Sequence, residues 1–352
     1  MTDQHTHHKA LIAPWRQALY DFDAEQAVSV LRDLCAADVV FHCCHPLGDF
    51  QSADTFFAAS LALLQGAWPD LERRDTIVMA GSADADRHWV GCCGYYTGTF
   101  LSPWLHIPPT GHQVAMRFHE FYRFDGDKLV EVQLIWDIPE VMMQAQVWPL
   151  APSLGRDWQV PAPATQDGLV AGPYDEAQSA ASCALIVEML AAMIRHPSQG
   201  GAETMQLSRY WHPKLNWYGP AGIGTGRGEQ GFRHWHQRPF IAAMPDRGQS
   251  QQGTNHDFFA DGSYAAVTGW PNMTLTQSHG GWLGIAPTNK KIVLRSLDFW
   301  RIEQGLIREN WVLIDLLHMY DQIGVDVFAR LQEFNRARNM APIAQLMEHM
   351  HD

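Results

Sequence analysis

The sequence predicts an α+β protein built as two tandem domains, each a curved antiparallel sheet covered on one face by N-terminal helices. Three observations carry this. A shift of the chain on itself by 178 positions (282 − 104) lays Trp104 on Trp282, Ile107 on Ile285, Pro109 on Pro287, Arg117 on Arg295, Phe121 on Phe299, Glu131 on Glu309 and Asp137 on Asp315 without a gap. Self-similarity at a fixed offset marks repeated units. Within each copy, runs with helical spacing come first and strand-like runs follow, the order of an α+β domain. A chain of 352 residues also suits two domains of about 100–200 residues each.

Upstream the match continues with an offset of 176 (217 − 41), pairing Phe41 with Trp217, Phe56 with Phe232 and Pro69 with Pro245. The expected domains are residues 1–147 and 174–330. Between them, residues 148–173 (PLAPSLG, VPAPATQDG, AGP) have the Pro, Ala and Gly content of a semi-extended linker. Residues 331–352 are expected to form a helical tail. That linker is long enough for the copies to pack as an internal pseudo-dimer, and a further homo-oligomer stays open.

In chain order, Leu11–Arg32 predicts two short helices or one bent near Asp21-Phe22-Asp23, and Tyr174–Arg195 predicts the second copy's opening helix, ended by His196-Pro197. A further helix is expected over Glu203–Tyr210. A short strand follows in each copy, Val39–Cys43 or Leu215–Tyr218, then a loop, HPLGDFQS or GPAGIGTGRG. No βαβ unit surrounds that glycine-rich stretch, so a pocket-rim loop is expected in preference to a phosphate cradle. Helices over Ser52–Gln65 and Glu229–Ala243 close at Trp68-Pro69-Asp70 and Met244-Pro245-Asp246. Strands then run over Asn255–Phe259, Ser263–Leu275, Lys291–Ile302 and Leu306–Leu316, the last two joined by Glu303-Gln304-Gly305 as a hairpin.

Composition narrows function. Net charge is −13 with no block of Lys and Arg, so a nucleic-acid partner has no electrostatic support. No apolar run approaches the roughly 20 residues that span a bilayer, and the polar start MTDQHTHHK lacks the apolar segment of a secretory signal; a cytoplasmic protein is expected, with no membrane partner. Six cysteines, Cys35, Cys43, Cys44, Cys92, Cys93 and Cys183, form no CxxC spacing and read as buried free thiols. The 14 tryptophans allow aromatic-walled cavities.

A tight Gln304-Gly305 turn would pair Trp300 with Glu309, Asp298 with Trp311 and Leu294 with Asp315, and paired residues share a face. One face then mixes aromatics with acids: Asp298, Trp300, Glu309, Trp311 and Asp315, and in the first copy Glu120, Tyr122, Glu131, Gln133 and Asp137. Asp315 and Asp137 each end an apolar strand. Two readings stay open: a desolvated carboxylate with a raised pKa that shuttles protons, or a cap on the helix that follows.

The stretch IAPTNKK…LDFWRIEQGLIRENWVLIDLLHMYDQIG resembles the C-terminal signature of SnoaL-like polyketide cyclases, and IPPTGHQ…HEFYRFDGDKLVEVQLIWD is similar, with Gln133 where the family has tryptophan and Gln146 in place of its final glycine. This resemblance implies the cone-shaped fold of the nuclear transport factor 2 superfamily, with a cavity between sheet and helices. It implies ring closure by intramolecular aldol condensation without metal or cofactor, and an acid/base aspartate at Asp315 and Asp137. Substrate contacts expected around them are Trp311, Asp298, Tyr218, His279 and Trp282 in the second copy and His42, His106, Trp104 and Glu120 in the first. His42-Cys-Cys-His45 could start a metal site, but the second copy has Tyr218 and Ala221 there, so no metal is expected. Two functions remain: a cofactor-independent lyase or isomerase acting on a small hydrophobic carbonyl compound, or a non-catalytic small-molecule binding or oligomerisation module.

Overall fold

A computed structural model of the chain describes residues 3–84, 86–250 and 252–336. The expected tail beyond Arg336 lies outside the described residues. What is described comprises two six-stranded sheets, each with its own helices, plus a two-stranded ribbon in the second copy.

Helices open each copy where the caps allow. Asp3, Asp23 and Asp175 accept hydrogen bonds from the Thr6, Gln26 and Gln178 amides and start Gln4–Tyr20, Ala24–Leu34 and Glu176–Ile194. By length and composition Glu176–Ile194 would suit a bilayer span. In this fold it lies over the second sheet and buries Ile186, Met189 and Met193 there. The stretch expected as a helix over Glu203–Tyr210 is instead two 3₁₀ turns, Ala202–Met205 and Leu207–Arg209, separated by Gln206 at positive φ.

The first sheet runs, edge to edge, Asp49–Phe50, Cys35–Cys43, Lys128–Trp136, Gln113–Asp125, Arg87–Thr99 and Glu72–Asp84. The second repeats this order: Thr225–Arg227, Trp211–Tyr218, Leu306–Ile314, Ser296–Glu303, Tyr264–Val267 and Phe258–Asp261. The meanders are antiparallel as expected, but each sheet as a whole is mixed. Cys35–Cys43 lies parallel to Lys128–Trp136, and Trp211–Tyr218 lies parallel to Leu306–Ile314. A parallel neighbour needs a long crossover, and the helices and remaining strands between the two partners supply it.

The copies differ in strand continuity. In the first, Glu72–Asp84, Arg87–Thr99 and Gln113–Asp125 are each 13 residues long. In the second, the run expected over Ser263–Leu275 stops at Val267 and resumes at Met273. Pro271 has no N–H to give a ladder, and beyond it the chain pairs as Met273–Gln277 with Lys290–Leu294 in a separate ribbon.

The two sheets pack face to face about a pseudo-two-fold axis. Phe121 and its repeat mate Phe299 stack on each other, centroids 4.9 Å apart, both fully buried. His119 Nδ1 meets the carbonyl oxygen of Leu297, its own repeat mate, at 2.5 Å. Backbones come so close that a Cβ on Gly81 would stand 2.7 Å from the Ala260 carbonyl oxygen. Lys9 spans the copies, its ammonium 2.7 Å from Asp261, which also accepts the Ala80 amide.

All six cysteines are free, and Cys43, Cys44, Cys92 and Cys93 are buried.

Candidate functional site

The central hairpin decides which side chains meet. Its observed register pairs Asp298 with Val312, Phe299 with Trp311, Trp300 with Asn310 and Arg301 with Glu309, and shifts between Arg301 and Ile302. The first copy shifts at the same place, pairing Glu120 with Leu134 and Arg123 with Glu131 across a break between Arg123 and Phe124. The expected pairing counted from the turn lacked this bulge. One extra residue moves every later side chain of that strand to the opposite face. Glu309, Trp311, Glu131 and Gln133 therefore leave the face that holds Asp298 and Glu120, and Val312 and Ile314 join Asp298 and Trp300 instead.

On the helix side of the second sheet lies a cavity of about 190 Å³. Trp217, Phe232, Phe240, Trp300, Val312 and Ile314 supply apolar wall, and Met189 and Met193 of Glu176–Ile194 cover it. Asp298 lines it with a single side-chain partner among the described residues, the Ser296 hydroxyl at 2.6 Å. Burial pushes the Asp298 carboxyl up to about 7, opposed only by that hydroxyl. Five further polar atoms on lining residues have no hydrogen-bond partner among the described residues: Trp211 Nε1, His236 Nδ1, Gln237 Oε1, His256 Nδ1 and Asn272 Oδ1. Such orphans are uncommon in a folded interior and are available to a ligand. Burial, reinforced by Arg247, holds the His236 imidazole down at about 3, so it is neutral near pH 7.

The first copy fills the same space. Glu120, the repeat mate of Asp298, is buried and accepts from Tyr96, Tyr122 and Trp136 Nε1 at 3.1, 2.5 and 3.0 Å. Arg73 closes the network with an ion pair to Glu120 and another to Asp75 at 3.0 Å. Substitution between copies explains the difference. Trp300 replaces Tyr122 and has no hydroxyl to offer, Ile314 replaces Trp136, and the broken strand around Pro271 leaves no counterpart of Tyr96 over Asp298.

Both aspartates expected to act in catalysis lie where the copies meet. Asp315 caps Leu316–Ile323, with Oδ1 accepting from the His318 amide at 3.1 Å, and Oδ2 accepts from the His45 amide of the other copy at 3.0 Å. Burial raises its carboxyl to about 6 against those two amides and Arg295. Asp137 mirrors this, accepting from the Ala221 amide at 2.9 Å with Arg117 at 3.4 Å, but it does not cap its helix. It borders a polar crease of about 320 Å³ shared with Glu140, Arg156, Asp157 and linker residue Trp158. Burial and Asp137 push Glu140 up to about 8 there. Removing the Asp315 carboxylate leaves two amides without an acceptor at about 1–3 kcal/mol each when buried. Asp315→Ala is expected to lower unfolding free energy by about 2 kcal/mol in urea titration; unchanged stability would assign the carboxylate to something other than tying the copies together.

The other expected contacts scatter. Trp311 faces the linker, its Nε1 donating to the Pro161 carbonyl at 3.0 Å, and packs on Tyr218, whose hydroxyl donates to Glu309 at 3.2 Å. Trp282 is buried edge-on against Phe240, and Trp104 edge-on against Trp68. His279 and His106 are exposed. His42 is half-buried beside Asp49 and stacks on Trp270 of the other copy. Of the second copy's expected set, only Asp298 lines the cavity. His236 and Arg247 were missed, because neither lies in the repeated hairpin and nothing in their spacing marks them. Among the described residues no three His, Cys, Asp or Glu side chains come together as a metal site.

Comparison with known proteins agrees with the repeat. The model of the SnoaL-like polyketide cyclase family matches residues 13–145 and again 198–323. Similar solved structures include IdmH of Streptomyces antibioticus, a candidate polyketide cyclase, at 23% identity over 39% of this chain and 96% of that one, with a TM-score of 0.31. An NTF2-like protein of Burkholderia thailandensis E264 is 20% identical over 41% of this chain and 98% of its own, with a TM-score of 0.31. No functionally curated protein matches the chain. With both matched segments carrying the same fold and together spanning most of its length, the chain belongs to the SnoaL-like polyketide cyclase family, as two tandem copies.

Proposed function

We propose that the second copy is an acid/base catalyst of the lyase or isomerase type, acting on a small hydrophobic carbonyl compound, with Asp298 as the group that moves the proton. The observation that supports this reading is the Asp298 carboxyl itself. It lines an aromatic cavity, keeps one hydroxyl partner, and is raised to about 7, where a carboxylate is basic enough to take a proton and acidic enough to return it. The first copy, its equivalent space closed by Arg73, Glu120 and three aromatic donors, serves as a non-catalytic partner that supports the second.

In the proposed step, the carboxylate takes a proton from the carbon α to a carbonyl, giving a carboxylic acid and an enolate. In an isomerase the acid returns the proton at another carbon. In an aldol closure the enolate carbon forms a bond to a second carbonyl carbon, the π pair of that carbonyl moves to its oxygen, and that oxygen takes the proton from Asp298. The Trp211 indole N–H, which lines the cavity without a partner among the described residues, is the donor assigned to the enolate oxygen. This step balances on the chain's own groups. Asp137 and Asp315 are assigned to holding the copies in register.

A ketone of one or two rings suits a cavity smaller than the ~300–1,000 Å³ of drug-sized sites. The test is deuterium incorporation α to the carbonyl of 2-tetralone, followed by NMR from pH 5 to 9. The protein is expected to accelerate exchange with a rate that rises through about pH 7 and then levels, as the basic carboxylate form fills. No acceleration, or a rate that follows hydroxide with no inflection, removes the reading.

A further inference from the structure

One charge in the cavity wall has no use in the proton transfer just described. Arg247 lies in the loop after Met244-Pro245-Asp246 and lines the cavity with His236, Met193 and Trp217. Among the described residues its guanidinium makes one hydrogen bond, from Nη1 to the Met193 carbonyl at 3.1 Å, and no carboxylate stands within ion-pair distance of it. Arg247 is half-buried, whereas the arginines buried in the sheets are all supplied with acceptors. Arg73 has Asp75 and Glu120, Arg301 has Glu303 and Glu309, and Arg117 has Asp137 with three carbonyls.

A guanidinium placed in an apolar wall without an anion loses hydration and gains little in return. Burial draws its ordinarily very high pKa down to about 10, which still leaves it charged near neutral pH. His236 beside it is held neutral and so does not compete for an anion. Asp298 makes no ion pair with Arg247; its partner is Ser296. The cavity thus has a cationic point and a proton-transfer point, with aromatic wall around both.

We propose that the ligand of this cavity is an organic carboxylate whose anionic head pairs with the Arg247 guanidinium while its apolar, carbonyl-bearing body lies along Trp217 and Trp300 toward Asp298. This deepens the acid/base reading and rests on it for the position of the reacting carbonyl, but the carboxylate contact is a matter of binding alone. A planar guanidinium offers paired N–H donors that match the two oxygens of a carboxylate. Such pairing in a desolvated wall also selects against neutral compounds of the same shape.

Two probes of equal shape read the claim: 2-naphthoate and the neutral 2-acetylnaphthalene, each titrated against the full chain by quenching of tryptophan fluorescence at pH 8. The unaltered protein is expected to bind 2-naphthoate at least tenfold more tightly than 2-acetylnaphthalene. Arg247→Gln is expected to weaken 2-naphthoate at least tenfold and 2-acetylnaphthalene less than twofold, so the neutral probe also reports that the cavity is intact. Arg247→Lys should fall between. Failure of the proton-transfer reading shows in 2-tetralone exchange, on which these binding titrations do not depend, so the two failures are distinguishable. The proposal is overturned if the unaltered protein shows no preference for the carboxylate, including no binding of either probe. It is equally overturned if Arg247→Gln weakens both probes alike.

Discussion

Asp298→Asn is expected to slow 2-tetralone exchange by about 10²–10⁴-fold, the usual worth of a positioned acid/base group, and at the same time to make the protein more stable at alkaline pH. The second effect follows from linkage. In the unfolded chain this carboxyl titrates at its ordinary 3.8, and in the fold at about 7. Between those values the folded protein keeps a proton that the unfolded chain has released, so raising the pH favours unfolding. The cost is nil below about pH 4, grows across the window and is complete above about pH 7. At 1.36 kcal/mol per unit it reaches at most about 4 kcal/mol. Asparagine never acquires the charge and escapes it. Urea titrations of the two proteins should therefore differ little at pH 4.5 and most at pH 8, with the variant the more stable. A difference that does not change with pH would mean that Asp298 is solvated, and the catalytic reading would lose its support.

Asp298 is also where sequence reasoning succeeded and failed within a single hairpin. The repeat, the helices-then-strands order and the turn at Gln304-Gly305 were legible because they depend on spacing and turn chemistry, which are local. Facing was not. A bulge between Arg301 and Ile302 changes no composition and leaves no mark in the residue pattern, yet it carried Glu309 and Trp311 to the linker side and away from Asp298. Asp315 was marked correctly as a buried carboxylate at a strand end, but both the cap and the raised pKa are present together. What no single copy could reveal is that its second oxygen is taken by His45 of the other copy. Arg247 and His236 enter the cavity from the loop and helix segments that cover it, and their convergence is a tertiary fact. The strand expected over Ser263–Leu275 ran straight through Pro271; the break there, and its consequence, an uncovered aspartate, appear only beside the intact strand that places Tyr96 over Glu120.

That contrast yields the second large effect, in the first copy. Arg73→Met is expected to cost about 3–5 kcal/mol, the range for stripping one partner from a buried ion pair. Glu120 would keep its hydroxyl and indole donors but lose its one cation among the described residues, while Asp75 would keep Arg16 at 2.7 Å. Removing the stranded charge as well should reverse most of the loss, because a buried pair replaced on both sides is often near neutral. Arg73→Met with Glu120→Gln is therefore expected to recover at least half of the lost stability in urea titration. The same double variant also tests the division of labour between the copies. Its exchange rate on 2-tetralone should stay within about twofold of the parent, since neither residue lines the second copy's cavity. If exchange falls in parallel with Glu120 and is insensitive to Asp298, the roles assigned to the two copies must be exchanged.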